Sequence, residues 1–244
     1  MPKTLAVMAG LALVGFVGCS GSSGGNTSTG TAATGTTSGG GSGTTSGSSG
    51  STTTTGTSTG APSFTDMRDG QIYPIVVIGS QTWLAANMNY ATDGGASYCY
   101  MNTSSNCDTY GRLYTNGAAQ TACPTGWHLA SDSEWMTLET TLGMAENQLD
   151  TSGEYVARGT NQGTQLKEGG SSGFEAKLSG YGNGPASADF YDLSTDGYFW
   201  TSTPDGTQIW RRHVFNETAY LYRFENPPAT FAISVRCLMG APAD

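Results

Sequence analysis

From residue 20 to residue 63 the chain is built of Ser, Gly, Thr and Ala with one Asn and one Pro, and it carries neither a charge nor an aromatic ring. Ordering such a stretch costs roughly 1–2 kcal/mol per residue in backbone entropy, and it has too little apolar surface to offset that. It is expected to remain a disordered tether, so a core must come from residues 64–244 alone. That remainder is long enough for one domain with a full core. It holds all nineteen acidic residues, all five tryptophans and every basic residue except Lys3. A surface this acidic excludes nucleic acid as a partner, since phosphate binding needs a basic face. Electrostatic docking on anionic lipid is disfavoured for the same reason.

Within the domain, Ile75–Ile78 reads as a strand, Gly79-Ser80 as a two-residue hairpin turn and Gln81–Ala85 as the returning strand. Residues 91–122 read as a long polar, Tyr-rich excursion. The best-marked helix starts after Cys123-Pro-Thr-Gly-Trp-His-Leu129. Ser131 and Glu134 have the spacing of a capping box, Trp135, Leu138 and Leu142 share a face, and Gly143 can end the helix. A short helix is expected near 144–150, a strand over Phe174–Leu178 and a Gly- and Asp-rich loop over 179–197. Four strands follow, at Tyr198–Thr203, Gln208–Phe215, Ala219–Phe224 and Phe231–Cys237. Few helices and many short strands joined by turns make the class α+β.

At the other end of the chain, Lys3 precedes an uncharged apolar run, Leu5–Gly18, that is too short to span a bilayer as a helix. It closes on Phe16-Val17-Gly18-Cys19, which resembles the lipobox of bacterial lipoproteins. That resemblance implies a signal peptide over 1–19 and lipidation of Cys19. The alternative is an ordinary signal peptide cut nearby, and either implies export; Ser20 after the cysteine resembles enterobacterial sorting to the outer membrane or cell surface, with the membrane held through the lipid anchor only.

A second resemblance covers the domain. It rests on Tyr73 to Tyr90, Cys99-Tyr100, Tyr110-Gly-Arg-Leu-Tyr114 and Cys123 to Leu129 with Glu134-Trp135. Gly173-Phe174, Tyr198 to Thr203 and Ser234-Val-Arg-Cys237 complete it. In this order they resemble the Fibrobacter succinogenes major paralogous domain. That family in turn resembles the C-type-lectin-like fold of formylglycine-generating enzyme. The resemblance implies a C-type-lectin-like domain over 64–244, with short antiparallel strands, one or two helices and long loops, on exported or surface-anchored proteins. It assigns no biochemical role.

Four domain cysteines in an exported chain are most simply two disulfides. Three connectivities are open, and the favoured one is Cys99–Cys107 with Cys123–Cys237. A four-thiolate zinc site lacks any C-x-x-C pair. A copper-dependent, oxidase-like enzyme on the formylglycine-generating-enzyme fold is the catalytic alternative, but no cysteine motif of that enzyme transfers here. Gly169-Gly-Ser171-Ser-Gly173 matches a nucleophile elbow in letters only, because no apolar strand precedes it. His128 reads as a packed, hydrogen-bonded residue. Asp189, Asp192 and Asp196 are the one candidate calcium set.

The richest candidate surface is Trp210 to His213 with Tyr220 to Arg223. Alternation puts Trp210 and Arg212 on one face and Arg211 and His213 on the other. In the next strand Tyr220 and Tyr222 oppose Arg223. Aromatic planes beside Arg forks suit sugars, carboxylates or a protein hot spot. The expectation is therefore a lipid-anchored surface protein displaying a non-catalytic recognition module for a surface polysaccharide or protein, without a cofactor. A metal- or oxidase-type enzyme and a structural envelope component are the alternatives.

Overall fold

The computed structural model of the chain describes residues 61–153, 155–183, 189–226 and 231–242. The expected leader, Cys19 and the tether up to residue 60 lie outside them. Strand β1 (Ser63–Thr65) is followed by β2 (Ile72–Ile78) and β3 (Gln81–Leu84). Gly79 makes the turn between the last two at φ +60°, so that Ile78 pairs with Gln81. Residues 91–122 contain β4 (Ser97–Tyr98), helix α1 (Ser104–Tyr110), β5 (Leu113–Thr115) and helix α2 (Asn116–Ala119).

Strand β6 (Trp127–Leu129) leads into α3 (Asp132–Thr141) through the expected capping box. The Glu134 N–H donates to Ser131 Oγ at 3.2 Å, and the Ser131 N–H donates to Glu134 Oε2 at 2.7 Å. Such a cap contributes about 1 kcal/mol. Next come α4 (Glu146–Leu149), α5 (Gln162–Leu166), β7 (Ser179–Asn183) and β8 (Phe190–Leu193). The chain closes with β9 (Asp196–Asp205), β10 (Gln208–Phe215), β11 (Tyr222–Asn226), β12 (Phe231–Ile233) and β13 (Cys237–Met239). Strands thus dominate, with few and mostly short helices. No described helix is long and apolar enough to cross a membrane.

Several expectations need correction. Among the described residues five α-helices are present where one or two were expected; apart from α3 they run four to seven residues, too short for a 3.6-residue apolar period to show. Phe174–Leu178 is not a strand, since its only ladder contact is an isolated bridge between Lys167 and Ala176. The true strands are β7 and β8, inside the segment expected to be loop. The expected last strand is two, β12 and β13, and they belong to different sheets.

The first sheet has the order β1-β2-β3-β13-β6, which pairs the beginning and end of the described domain. The second runs β11-β10-β9-β7-β12-β5-β4, with β8 added on β7. Helix α3 fills the core through Trp135, whose ring lies 5.5 Å from Trp83, 5.5 Å from Phe174 and 5.8 Å from Phe199. All four rings are fully buried, each contributing roughly 1.5–3 kcal/mol by leaving water. Cys99–Cys107 and Cys123–Cys237 are both disulfides. The second closes a 114-residue separation and ties β13 to the approach of β6; on the chain-entropy view it contributes about 4–5 kcal/mol.

Arg236 is fully buried and forms no salt bridge among the described residues. Its guanidinium donates instead to the Leu84, Phe174 and Glu175 carbonyls and to Asn87 Oδ1, and lies 4.2 Å from the Phe174 ring. It thus ties the end of β3 to the segment around Phe174 and Glu175.

Candidate functional site

The expected strand β10 has the bounds seen, Gln208–Phe215, and it sits between β9 and β11 in register His213↔Tyr198 and His213↔Tyr222. Alternation along it therefore decides which side chains meet helix α3 and which face away.

On the α3 side the arginines are internal. Arg212 is fully buried, with Nε on Glu139 Oε1 at 2.5 Å and Nη1 on Asp132 Oδ1 at 2.5 Å. Arg223 Nη2 meets Asp132 Oδ2 at 2.7 Å, and its guanidinium covers the half-buried Trp210 ring at 3.6 Å. Arg158, from the segment after α4, shares Glu139 with Arg212 and also donates to the Gln148 and Leu149 carbonyls. Burial alone works against charge here. The carboxylates of Glu139 and Asp132 nevertheless hold Arg212 above its ordinary value. The two arginines, against the same burial, hold Asp132 below its own. Arg212 and Arg223 consequently do not form an open binding surface; with Arg158, Asp132 and Glu139 they make a buried five-member ion network, on which the half-buried Trp210 ring packs through Arg223. Glu139 is the residue that sequence reasoning missed, although its place four residues after Trp135 puts it on the helix's inward face.

The opposite side of the same strands opens into a cleft of about 560 Å³. His213 forms part of its wall, with its ring 4.1 Å from Tyr198 and 3.7 Å from Phe215. Its Nε2 lies 2.6 Å from Asp196 Oδ1. Desolvation lowers the imidazole's pKa and the neighbouring Arg211 adds to this, outweighing Asp196. Tyr198 donates its hydroxyl to Asp192 Oδ2 at 2.9 Å, and burial beside Asp196 and Asp192 keeps that phenol protonated. Arg211 is held against aromatic faces, 4.1 Å from Phe224, 4.8 Å from Tyr198 and 5.5 Å from Phe231. Glu225, Tyr181, Gly153 and Tyr155 also line the space.

Of the seven expected contact residues, then, Arg211 and His213 line the cleft. Tyr222 shares their side but is covered, 5.8 Å from His213. Tyr220 precedes β11 and points to solvent away from the cleft. Tyr198 was within reach of the register argument. Tyr155, a lone aromatic in a polar segment, gave no signal.

The calcium set is also corrected. Asp189 is exposed and outside the cleft lining, Asp192 accepts from Tyr198, and Asp196 is engaged by His213 and by Thr195 Oγ1 at 2.6 Å. No group of three or more His, Cys, Asp or Glu able to hold a metal occurs among the described residues. With Cys99, Cys107, Cys123 and Cys237 all in disulfides, none has a thiolate to offer. His128 is packed as expected, bridging Glu134 Oε1 and the Gly240 carbonyl, each at 2.9 Å. Ser171 lies in a turn, with neither the strand nor the helix of a nucleophile elbow around it.

Comparison with curated proteins and with solved structures gives no match. The family model of the Fibrobacter succinogenes major domain matches residues 76–239, about two-thirds of the chain, and the chain therefore belongs to that family.

Proposed function

We propose that the chain is an exported surface protein, anchored by lipid at Cys19, that carries a non-catalytic recognition module over residues 64–244 with a C-type-lectin-like arrangement. Its ligand is a surface polysaccharide or protein at the outer membrane or cell surface. The leader and lipobox support export, and the two disulfides suit an oxidising compartment. The sheet that joins the first and last strands, with long excursions between them, suits the lectin-like reading.

The observation that carries the functional part is the cleft beside β9–β11. It is concave and ringed by aromatics, with a small number of placed polar groups, which is the character of a recognition site. Screening the full-length chain on a glycan array and against proteins of its own cell envelope tests this. Ligands captured by the wild type should be lost with Tyr155→Ala, and retained with Met67→Ala, whose side chain is as exposed but lies outside the cleft. Capture unchanged by Tyr155→Ala would refute the cleft as the recognition surface.

A further inference from the structure

The charge and hydrogen-bond inventory of the cleft narrows what it can hold. Among the described residues that line it, three carboxylates, Asp192, Asp196 and Glu225, face one guanidinium, Arg211. His213 contributes no second positive charge, because burial holds its imidazole below the ordinary value. An anionic ligand would meet net repulsion here, on a domain that is itself acidic. A cationic ligand would seek an aromatic face beside a carboxylate. Those faces are taken, since the Arg211 guanidinium already lies over Phe224 and Tyr198 and its charge would oppose a second cation. What remains is acceptor-rich and apolar. Asp192 uses Oδ2 for the Tyr198 hydroxyl, and its Oδ1 has no partner among the described residues. Tyr155 stands 84% exposed at the edge, a ring with its faces uncovered. Carboxylates accept and cannot donate, so the complementary ligand brings hydroxyl donors and an apolar C–H face.

Resting on the cleft as the recognition surface, we propose that its ligand is an uncharged saccharide, the sugar units of a neutral polysaccharide. One sugar face stacks on Tyr155 and its hydroxyls donate to Asp192.

Affinity electrophoresis of the full-length chain through gels containing soluble uncharged glucans and mannans, chitosan or polygalacturonate tests this. Retardation is expected with an uncharged polymer, and it should be insensitive to salt because no ion pair forms. It should weaken about tenfold with Tyr155→Ala, the size of a stacking hot spot, and also weaken with Asp192→Ala. Retardation by chitosan or polygalacturonate alone, or by no polymer, overturns the saccharide assignment. If no polymer retards the chain but Tyr155→Ala still abolishes capture of an envelope protein, the cleft stands as a recognition surface and only the ligand class fails. If Tyr155→Ala alters neither, both fail.

Discussion

Strands β10 and β11 present arginines to both sides, and the two sides end differently. Toward α3, Arg212 meets Asp132 and Glu139 and is fully buried, and Arg223 meets Asp132 and is nearly so. Away from α3, Arg211 meets aromatic rings and one wall of an open cleft. Residue type and strand alternation are the same on both sides, so neither decides whether an arginine supports the fold or meets a ligand. The element packed opposite decides it. A helix carrying two inward carboxylates pairs the arginines on one side, whereas on the other Arg211 is enclosed by aromatic rings at the wall of the cleft.

This contrast is most easily broken from the dry side. Glu139→Ala leaves Arg158 and Arg212 buried without their shared acceptor and should cost about 3–5 kcal/mol, read as a lower midpoint in denaturant unfolding. A loss below about 1 kcal/mol would mean that the network is not the support described.

Acid titration probes the cleft side. Burial keeps the folded-state His213 below its ordinary 6.5, so as pH falls through that value the unfolded chain takes up a proton that the folded one resists. Stability attributable to this residue is therefore present above about pH 6.5 and declines with acid. His213→Gln should flatten that part of the stability–pH profile, and an unchanged slope would contradict it.

Tyr155→Ala should leave the unfolding midpoint within about 0.5 kcal/mol of wild type, as for surface changes generally, while removing ligand capture. The pair Lys177–Glu168 lies partly exposed outside both regions; Lys177→Ala should change stability by less than about 1 kcal/mol. A larger loss there would blur the distinction between the dry network and ordinary surface charge.

The parts of the fold that could be read from residue order were those in which local chemistry and tertiary role coincide. The Ser131–Glu134 cap, the Gly79 reversal and the alternating run of β10 each carry their own signal. Strand β7 carries the opposite one. In Ser179-Gly-Tyr-Gly-Asn183 the glycines suggest a loop, yet Gly180 sits at φ +61°, where an added Cβ would fall 2.0 Å from the Tyr191 carbonyl oxygen. Its missing side chain is what lets β8 approach. The candidate surface was half legible for a related reason. Alternation separated Arg211 and His213 from Arg212 correctly, but only the placement of α3 shows which side is covered. Tyr155 and Tyr181 reach the cleft from segments whose position depends on long-range packing.

Hydroxyl-radical footprinting of the full-length chain, alone and with the envelope fraction it captures, bears most directly on the cleft as the contact surface. Tyr155 should become protected, while Met67, Ile72 and Val77, all well exposed and outside the cleft, keep their reactivity. Protection at those three with none at Tyr155 would place recognition on the first sheet and contradict the account.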